Sequence, residues 1–190
     1  HDTLCATPEG AVLWAAKPSG GPGLWRLDGR AWKALPLKGP LPSQSPDRHG
    51  MAFDAKRGRL LFFSDVGKEK GDVAVYDFKS GEAKWLGPAG RAKGAAHSRE
   101  TVYVPALDAV LVGARADVGG KMHWLLYDCG KNAWRGIEIA GDVPISRGAF
   151  NNSMGLMFDP GRGLVWAVGQ NSHVHVLRLD GATLKRVELE

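Results

Sequence analysis

Short apolar runs separated by turn-forming residues extend along the whole chain. The runs at 60–63 and 124–127 are among the longest, and each run is bounded by Gly, Pro or Asp. No segment repeats apolar positions at the 3.6-residue spacing of an amphipathic helix. Apolar runs of this kind are typical of strands joined by tight hairpins. The pattern predicts an all-β protein, and no run approaches the roughly 18 apolar residues that a membrane-spanning helix requires.

One motif recurs about every 50 residues, which indicates a repeat protein. In each copy an apolar run ends in Asp and a Gly-containing turn follows; the four residues are Asp28, Asp77, Asp128 and Asp180. A second hairpin precedes each copy, as in 51–54 followed by 59–63. Each repeat therefore contains four short strands, which we call a, b, c and d in chain order.

Four short strands per repeat predict the blade of a β-propeller. We predict one propeller domain over 1–190, with four blades of four antiparallel strands at approximately 1–38, 46–88, 97–139 and 150–189. Strand b is a continuous apolar run in every copy, as expected for a strand covered on both faces by neighbouring blades. Trp32, Trp85 and Trp134 follow the Asp turn in three copies and are predicted to pack in the core or between blades.

Three sequence features resemble the kelch repeats of the galactose-oxidase-like superfamily. They are the segment Pro46-Asp-Arg-His-Gly-Met-Ala-Phe-Asp54, the following Arg-Gly-Arg-Leu-Leu-Phe-Phe, and an aromatic residue leading into a downstream Trp, as in Tyr127 and Trp134. The Gly-Gly pair that ends strand b in that family is replaced here, for example by Phe63-Ser64. The resemblance implies a larger ring of six or seven blades, whose remaining blades lie in sequence outside this chain. The alternative is a four-bladed ring in which the first and last blades meet.

The composition of the chain favours some classes of binding partner over others. The sequence is 44% hydrophobic and 24% charged, and its net charge of +5 arises from interleaved basic and acidic residues. Interleaved charge of this kind favours solubility and anionic partners over nucleic acid. Cys5 and Cys129 form no metal-like spacing and are predicted to be unpaired thiols. We therefore expect no nucleic-acid partner, no membrane insertion and no cofactor.

The first candidate binding residues lie near the b–c loops, which include 17–23, 64–72, 114–121 and 170–172. Asp72, His123 and His175 share one offset before the recurring Asp, and Trp124 follows His123 as a candidate stacking surface. Imidazole and carboxylate groups are common metal ligands. Equivalent positions on neighbouring blades lie too far apart to favour one metal ion, so we predict no metal site. The alternative is that these side chains only cap strand ends in solvent.

A second, basic set of candidate residues lies in the linkers between blades. Arg48, Arg91 and Arg147 follow Pro residues at comparable points of three linkers. A guanidinium group matches the geometry of carboxylate and phosphate. The polar residues beside them are His49, His97, Arg99, Asn151 and Asn152. The alternative is that the three arginines tie each linker to a neighbouring blade.

Catalytic motifs are absent from the sequence: it has no Gly-x-Ser-x-Gly elbow, Walker loop or His-Glu-x-x-His motif. We predict no catalytic residue, and neither cysteine lies where the copper site of galactose-oxidase relatives would require it. The favoured hypothesis is a non-catalytic module that binds a protein or glycan partner. The alternative is the propeller portion of a hydrolase or oxidase whose catalytic residues lie partly outside this sequence. The cellular location is open, and the resemblance favours secretion or the cell surface.

Overall fold

The described part of the chain is built from β-strands. A computed structural model describes residues 3–16, 22–41, 50–63, 73–90, 100–118, 121–138, 140, 155–168, 174–181 and 185–187. Within these ranges 16 strands form four antiparallel sheets, and the helical structure is one short 3-10 turn at Pro105–Leu107. The sheets are arranged as a four-blade propeller, so the predicted all-β propeller fold is confirmed.

Each sheet is a meander of consecutive strands. Blade 1 contains β1 (Thr3–Thr7), β2 (Gly10–Ala16), β3 (Pro22–Asp28) and β4 (Ala31–Ala34). Blade 2 contains β5 (Gly50–Asp54), β6 (Arg59–Phe63), β7 (Val73–Asp77) and β8 (Glu82–Trp85). Blade 3 contains β9 (Thr101–Val104), β10 (Ala109–Val118), β11 (Lys121–Asp128) and β12 (Ala133–Ile137). Blade 4 contains β13 (Gly155–Asp159), β14 (Leu164–Val168) and β15 (Val174–Arg178).

The last strand, β16 (Arg186–Val187), departs from the repeat. Its place in the sequence is that of strand d of the fourth repeat, but it pairs antiparallel with β12, through Gly136 and Ile137. The backbone N–H of Glu138 also donates to the carbonyl of Lys185 at 3.1 Å. The third sheet therefore has five strands, and β16 covers the part of its outer edge that the preceding linker leaves open.

Two linkers, between blades 1 and 2 and between blades 2 and 3, each cover the start of the outer strand of the blade that follows. Lys38 donates its backbone N–H to Gly81 at 2.8 Å and accepts from Ala83 at 2.6 Å. Ala89 forms the same parallel bridge on the edge of β12. An unpaired strand edge is a template for aggregation, so these bridges protect the edge. They also fix each linker against the blade that it enters.

The apolar faces of neighbouring blades pack into three clusters, one at each seam between blades. Trp14 and Phe62 meet at the seam between blades 1 and 2, with their ring centroids 5.2 Å apart. At the seam between blades 2 and 3, Phe63, Tyr127 and Trp134 form a triangle with centroid distances of 5.5–5.8 Å. Because side chains alternate along a strand, blades 2 and 3 each give one set to the seam before them and the other set to the seam after them.

The prediction for the three recurring tryptophans is correct in full only for Trp134, which is completely buried. Trp32 occupies the equivalent place in the strand register, yet it is 45% exposed. Trp85 pairs with Ala74, further along strand d, and is half-buried. Glu82 and Ala133 each lie opposite the recurring Asp of their blade, five residues after it, so Trp85 lies two places further along strand d than Trp134.

The linker bridge on β12 is tested by a matched pair of glycine substitutions. Gly90 has a φ of +72°, and a Cβ there would lie 2.9 Å from the carbonyl oxygen of Trp134. Gly58 has a φ of +62° and open space around it. We expect Gly58→Ala to cost about 1–2 kcal/mol from left-handed strain, and Gly90→Ala to cost more because the linker must move. Urea unfolding measures both, and equal free energies of unfolding would contradict the bridge.

Candidate functional site

The propeller has two ends, which carry different elements. The turn end carries the a–b and c–d hairpin turns, and Lys38 and Ala89 of two linkers lie beside the c–d turns of the following blades. The loop end carries the b–c connections and the points where the linkers enter the first strand of each blade. Of the predicted binding residues, the structure describes His123, Trp124 and His175. The other nine lie outside the described residues and stay predictions: Arg48, His49, Asp72, Arg91, His97, Arg99, Arg147, Asn151 and Asn152.

Blade 3 extends at the loop end as a two-stranded ribbon. β10 pairs with β9 only as far as Val112, and β11 pairs with β12 only from Trp124 onward. Beyond those points β10 and β11 continue together, with 115–118 paired to 121–124 after a bulge. The predicted loop at 114–121 is therefore wrong, because most of it is strand. Only Gly119-Gly120 separates the two strands, and such a pair suits a two-residue hairpin.

His123 lies at the base of this ribbon, opposite Ala116, and is 6% exposed. No described residue forms a hydrogen bond with its Nδ1 atom. The indole N–H of the neighbouring Trp124 is also buried without a described partner. A buried polar atom that stays unpaired costs about 1–3 kcal/mol. Both atoms therefore need hydrogen-bond partners, which a bound molecule or residues outside the described ranges would supply.

His123 and Trp124 border different seams. Leu125, two positions after His123, packs in the cluster between blades 2 and 3. Trp124 packs with Leu126 in the cluster between blades 3 and 4. Because successive residues of a strand point to opposite faces, His123 faces blade 2 and Trp124 faces blade 4. The two side chains do not form one continuous surface.

His175 is not the counterpart of His123 in the strand register. In blades 2 and 3 the recurring Asp lies opposite the first residue of strand b. In blade 4 that place is taken by Arg178 rather than Asp180. Counted from Arg178, the counterpart of His123 is His173, which lies outside the described residues. The equal spacing of the two histidines from Asp was therefore misleading.

The turn end holds a charged cluster to which no sequence motif pointed. Arg57, in the a–b turn of blade 2, donates two hydrogen bonds to Asp108 of blade 3, at 2.7 and 2.9 Å. Arg57 also donates to the fully buried Asp54 at 3.1 Å. Lys56 donates to Asp108, and Arg59 donates to Asp54, both at 2.9 Å. The cluster joins blades 2 and 3 through residues about 50 positions apart in the chain.

The contact between Arg57 and Asp108 favours the charged forms of both groups. The hydrogen bonds from Arg57 keep the pKa of Asp108 well below its ordinary value, and the same bonds raise the pKa of Arg57. Burial, and then the charge of Asp108, raises the pKa of Tyr103. The Tyr103 hydroxyl donates to Asp108 at 3.2 Å. Because the pKa of Asp108 is lowered and that of Arg57 is raised, this ion pair stays charged near neutral pH and is suited to holding two blades together rather than to moving protons.

The described ranges contain no candidate metal-binding group, and both of their cysteines are free. No three His, Cys, Asp or Glu side chains come together there in a group that could hold a metal ion. Cys5 and Cys129 are free thiols, as predicted. Burial raises the pKa of Cys5 to about 11 and that of Cys129 to about 12. Both thiols are therefore protonated, and thus weakly nucleophilic, at neutral pH.

Comparison with known proteins does not assign this chain to a family. No family model matches it, and no curated protein is significantly similar to it. Among the described residues, no helix has the length and apolar character needed to cross a bilayer. The functional interpretation therefore depends on the residues and their geometry.

The charged cluster at the turn end predicts a specific pH dependence. The pKa of Asp108 is lower in the folded state than its unfolded value of about 3.9. The ionised carboxylate therefore stabilises the fold above about pH 4, and this contribution is lost as the pH falls through the folded pKa. We expect Asp108→Asn to lower the free energy of unfolding by about 1–3 kcal/mol near neutral pH. The difference from wild type should shrink at about pH 3.

Urea unfolding at the two pH values measures this difference. Asp28→Asn is the control, because it removes an exposed carboxylate that pairs with Lys33 inside a single blade. At neutral pH, Asp28→Asn should lower the free energy of unfolding by less than Asp108→Asn does. A deficit of Asp108→Asn that stayed constant across the acid range would show that the carboxylate charge is not what stabilises the seam.

Proposed function

We propose that this chain is a non-catalytic binding module, which presents the loop end of a rigid propeller to an anionic protein or glycan partner. The observation that carries the proposal is the ribbon of blade 3, which continues past its own sheet at the loop end. His123 is buried at the base of the ribbon, and its Nδ1 atom has no described partner. A strand pair that extends beyond the core contributes little to folding and is well placed for contact with a ligand.

The contrast between the two ends of the propeller supports this proposal. At the turn end, Arg57 and Asp108 tie adjacent blades together through paired hydrogen bonds. At the loop end the connections differ in length and sequence from blade to blade. Binding residues are commonly carried on variable loops above a rigid scaffold. The loop end is therefore the end that we assign to the partner.

The chemistry of the linkers supports an anionic partner. Arg48, Arg91 and Arg147 recur in three linkers. Each of these linkers leads into the first strand of a blade, which begins at the loop end. Guanidinium groups bind carboxylates, sulfates and phosphates through paired hydrogen bonds. The net charge of +5 would assist the approach of such a partner.

We also propose that the propeller is of the kelch type, within the galactose-oxidase-like superfamily. The motif Asp-Arg-His-Gly before β5 supports this assignment. So does the aromatic residue that leads into a Trp, since Tyr127 pairs with Trp134 across adjacent strands. The kelch assignment concerns ancestry, and the binding proposal does not depend on it.

The binding proposal is tested on an array of sulfated, sialylated and neutral glycans together with acidic and neutral peptides. We expect salt-sensitive binding to anionic members of the array. A variant in which Arg48, Arg91 and Arg147 are all replaced by Ala should bind at least about tenfold more weakly, since tenfold corresponds to about 1.4 kcal/mol. Its melting temperature should be unchanged.

The matched control removes three exposed basic residues from the turn end. Arg30, Lys79 and Lys131 lie in the c–d turns of blades 1, 2 and 3, and replacing them with Ala changes the net charge equally. The control variant should bind like wild type. Equal weakening of the two variants would show only a general charge effect. A lower melting temperature of the linker variant would instead mean that the arginines tie the blades together, and turnover of a bound glycan would favour a hydrolase.

A further inference from the structure

Blades 1 and 4 each leave one apolar face uncovered. All of the large apolar side chains that are exposed in the described chain belong to these two blades, with exposed fractions of 45–61%. They are Leu4 and Trp32 of blade 1, and Met157, Val168, Val174 and Val176 of blade 4. Contiguous exposed apolar surface on a soluble protein marks an interaction site.

The open face of blade 4 has the composition of a face that is buried elsewhere in the molecule. In blade 2, five residues pack against blade 3. The strand register gives the counterpart of each in blade 4. The blade 2 residues are Ala52, Leu61, Phe63, Val73 and Val75, and the blade 4 counterparts are Met157, Trp166, Val168, Val174 and Val176. All five counterparts are apolar, so blade 4 presents a seam surface without a described neighbour.

The open face of blade 1 matches the other side of that same seam. The blade 3 residues that pack against blade 2 include Val110, Val112, Leu125, Tyr127 and Trp134. Their counterparts in blade 1 are Ala11, Leu13, Trp25, Leu27 and Trp32. The blade 3 set is completely buried, whereas no member of the blade 1 set is buried. Blade 1 therefore carries the surface that blade 4 lacks.

The charged groups at the turn end follow the same correspondence. Arg57 contacts the Asp at the start of its own turn and reaches Asp108 across the seam. Arg162 has the same place in the turn of blade 4, contacts Asp159 at 3.0 Å, and has a side chain that is 70% exposed. Glu9 directly precedes strand b of blade 1, as Asp108 does in blade 3, and it is 68% exposed. The two open faces are thus complementary in charge as well as in apolar surface.

We propose that the open face of blade 4 packs against the open face of blade 1 in a second copy of this chain, so that two chains close a ring of eight blades. Both faces are exposed within one chain, so a single copy does not cover them. Each copy supplies both halves of the seam, and a two-fold pair forms the seam twice. A head-to-tail contact closes into a ring when its rotation allows, and eight blades lie within the range of known propellers.

In this ring Val168 of one copy would take the place of Phe63, against Leu27 and Trp32 of the other copy. Arg162 would approach Glu9 as Arg57 approaches Asp108. Glu9 already pairs with Arg26 of its own blade. A second cation on Glu9 has a precedent in Asp108, which binds both Lys56 and Arg57. The seam between the two copies would therefore have the same kinds of apolar and charged contact as the seam between blades 2 and 3. The dimer proposal does not depend on the proposed binding function.

Light scattering coupled to size exclusion tests the proposal on the full chain. The expected mass is about twice the 20.4 kDa of one chain. Trp32→Glu places a charge on the face of blade 1, and Val176→Lys places one on the face of blade 4. Each variant alone should have the mass of one chain, because each substitution lies in both seams of the ring. Both sites are exposed in the single chain, so circular dichroism and melting temperature should confirm an intact fold.

An equal mixture of the two variants distinguishes a head-to-tail ring from other dimers. A mixed pair has one seam without any substitution, so the mixture should recover the double mass. Lys84→Gln and Glu82→Gln replace exposed residues on the outer strand of blade 2. They change the net charge by −1 and +1, as the two test variants do, and should stay dimeric. A wild-type mass of one chain, a mixture that fails to recover the double mass, or assemblies larger than two chains would each overturn the proposal.

Discussion

The burial of one sheet face against the next is the interaction on which the whole molecule depends. A blade of four short strands has two faces and no core of its own, so its apolar side chains are removed from water only where a neighbour covers them. Burying each large apolar side chain contributes roughly 1.5–3 kcal/mol. The aromatic triangle of Phe63, Tyr127 and Trp134 adds edge-to-face contacts to this burial. Stability is therefore a property of the seams rather than of single blades.

Apolar packing depends only weakly on the relative orientation of two surfaces, whereas hydrogen bonds are directional. Polar contacts therefore determine how the blades lie against one another. The hydroxyl of Tyr76 donates to the carbonyl of Pro36 in the preceding linker at 2.9 Å. The side-chain oxygen of Asn132 accepts a hydrogen bond from the Tyr127 hydroxyl at 2.7 Å. The side-chain nitrogen of Asn132 donates to the carbonyl of Leu86, in the linker between blades 2 and 3, at 3.0 Å. Together with the backbone bridges and the charged cluster at the turn end, these bonds hold the linkers in place. The loops at the opposite end are thereby carried on a defined frame.

Strand positions and the repeat could be predicted from sequence because both are local properties. In the hairpins around 51–63 and 155–168, the paired strands are consecutive in the sequence and are joined by short turns that contain the expected Gly and Asp. Register could not be predicted in the same way, because Trp85 and Asp180 each lie two places further along the chain than their counterparts in blade 3. His175, which was placed by its distance from Asp180, was therefore given the wrong counterpart. The contact of Arg57 with Asp108 joins separate repeats, so no local motif signals it. The ribbon of blade 3 was missed because its small and charged residues suggested a loop.

The backbone bridge from each linker to the next blade also has a consequence for the order of folding. Lys38 and Ala89 precede the outer strands that they cover, and synthesis proceeds from the amino terminus at about 5–20 residues per second. When β8 or β12 leaves the ribosome, the segment that will pair with its outer edge has therefore already been made. A nascent blade can therefore cover part of its outer edge as it forms, which shortens the period in which that edge is open to other chains. In blade 3 the rest of the edge stays open until β16 has been made, because β16 follows β12 by about 50 residues.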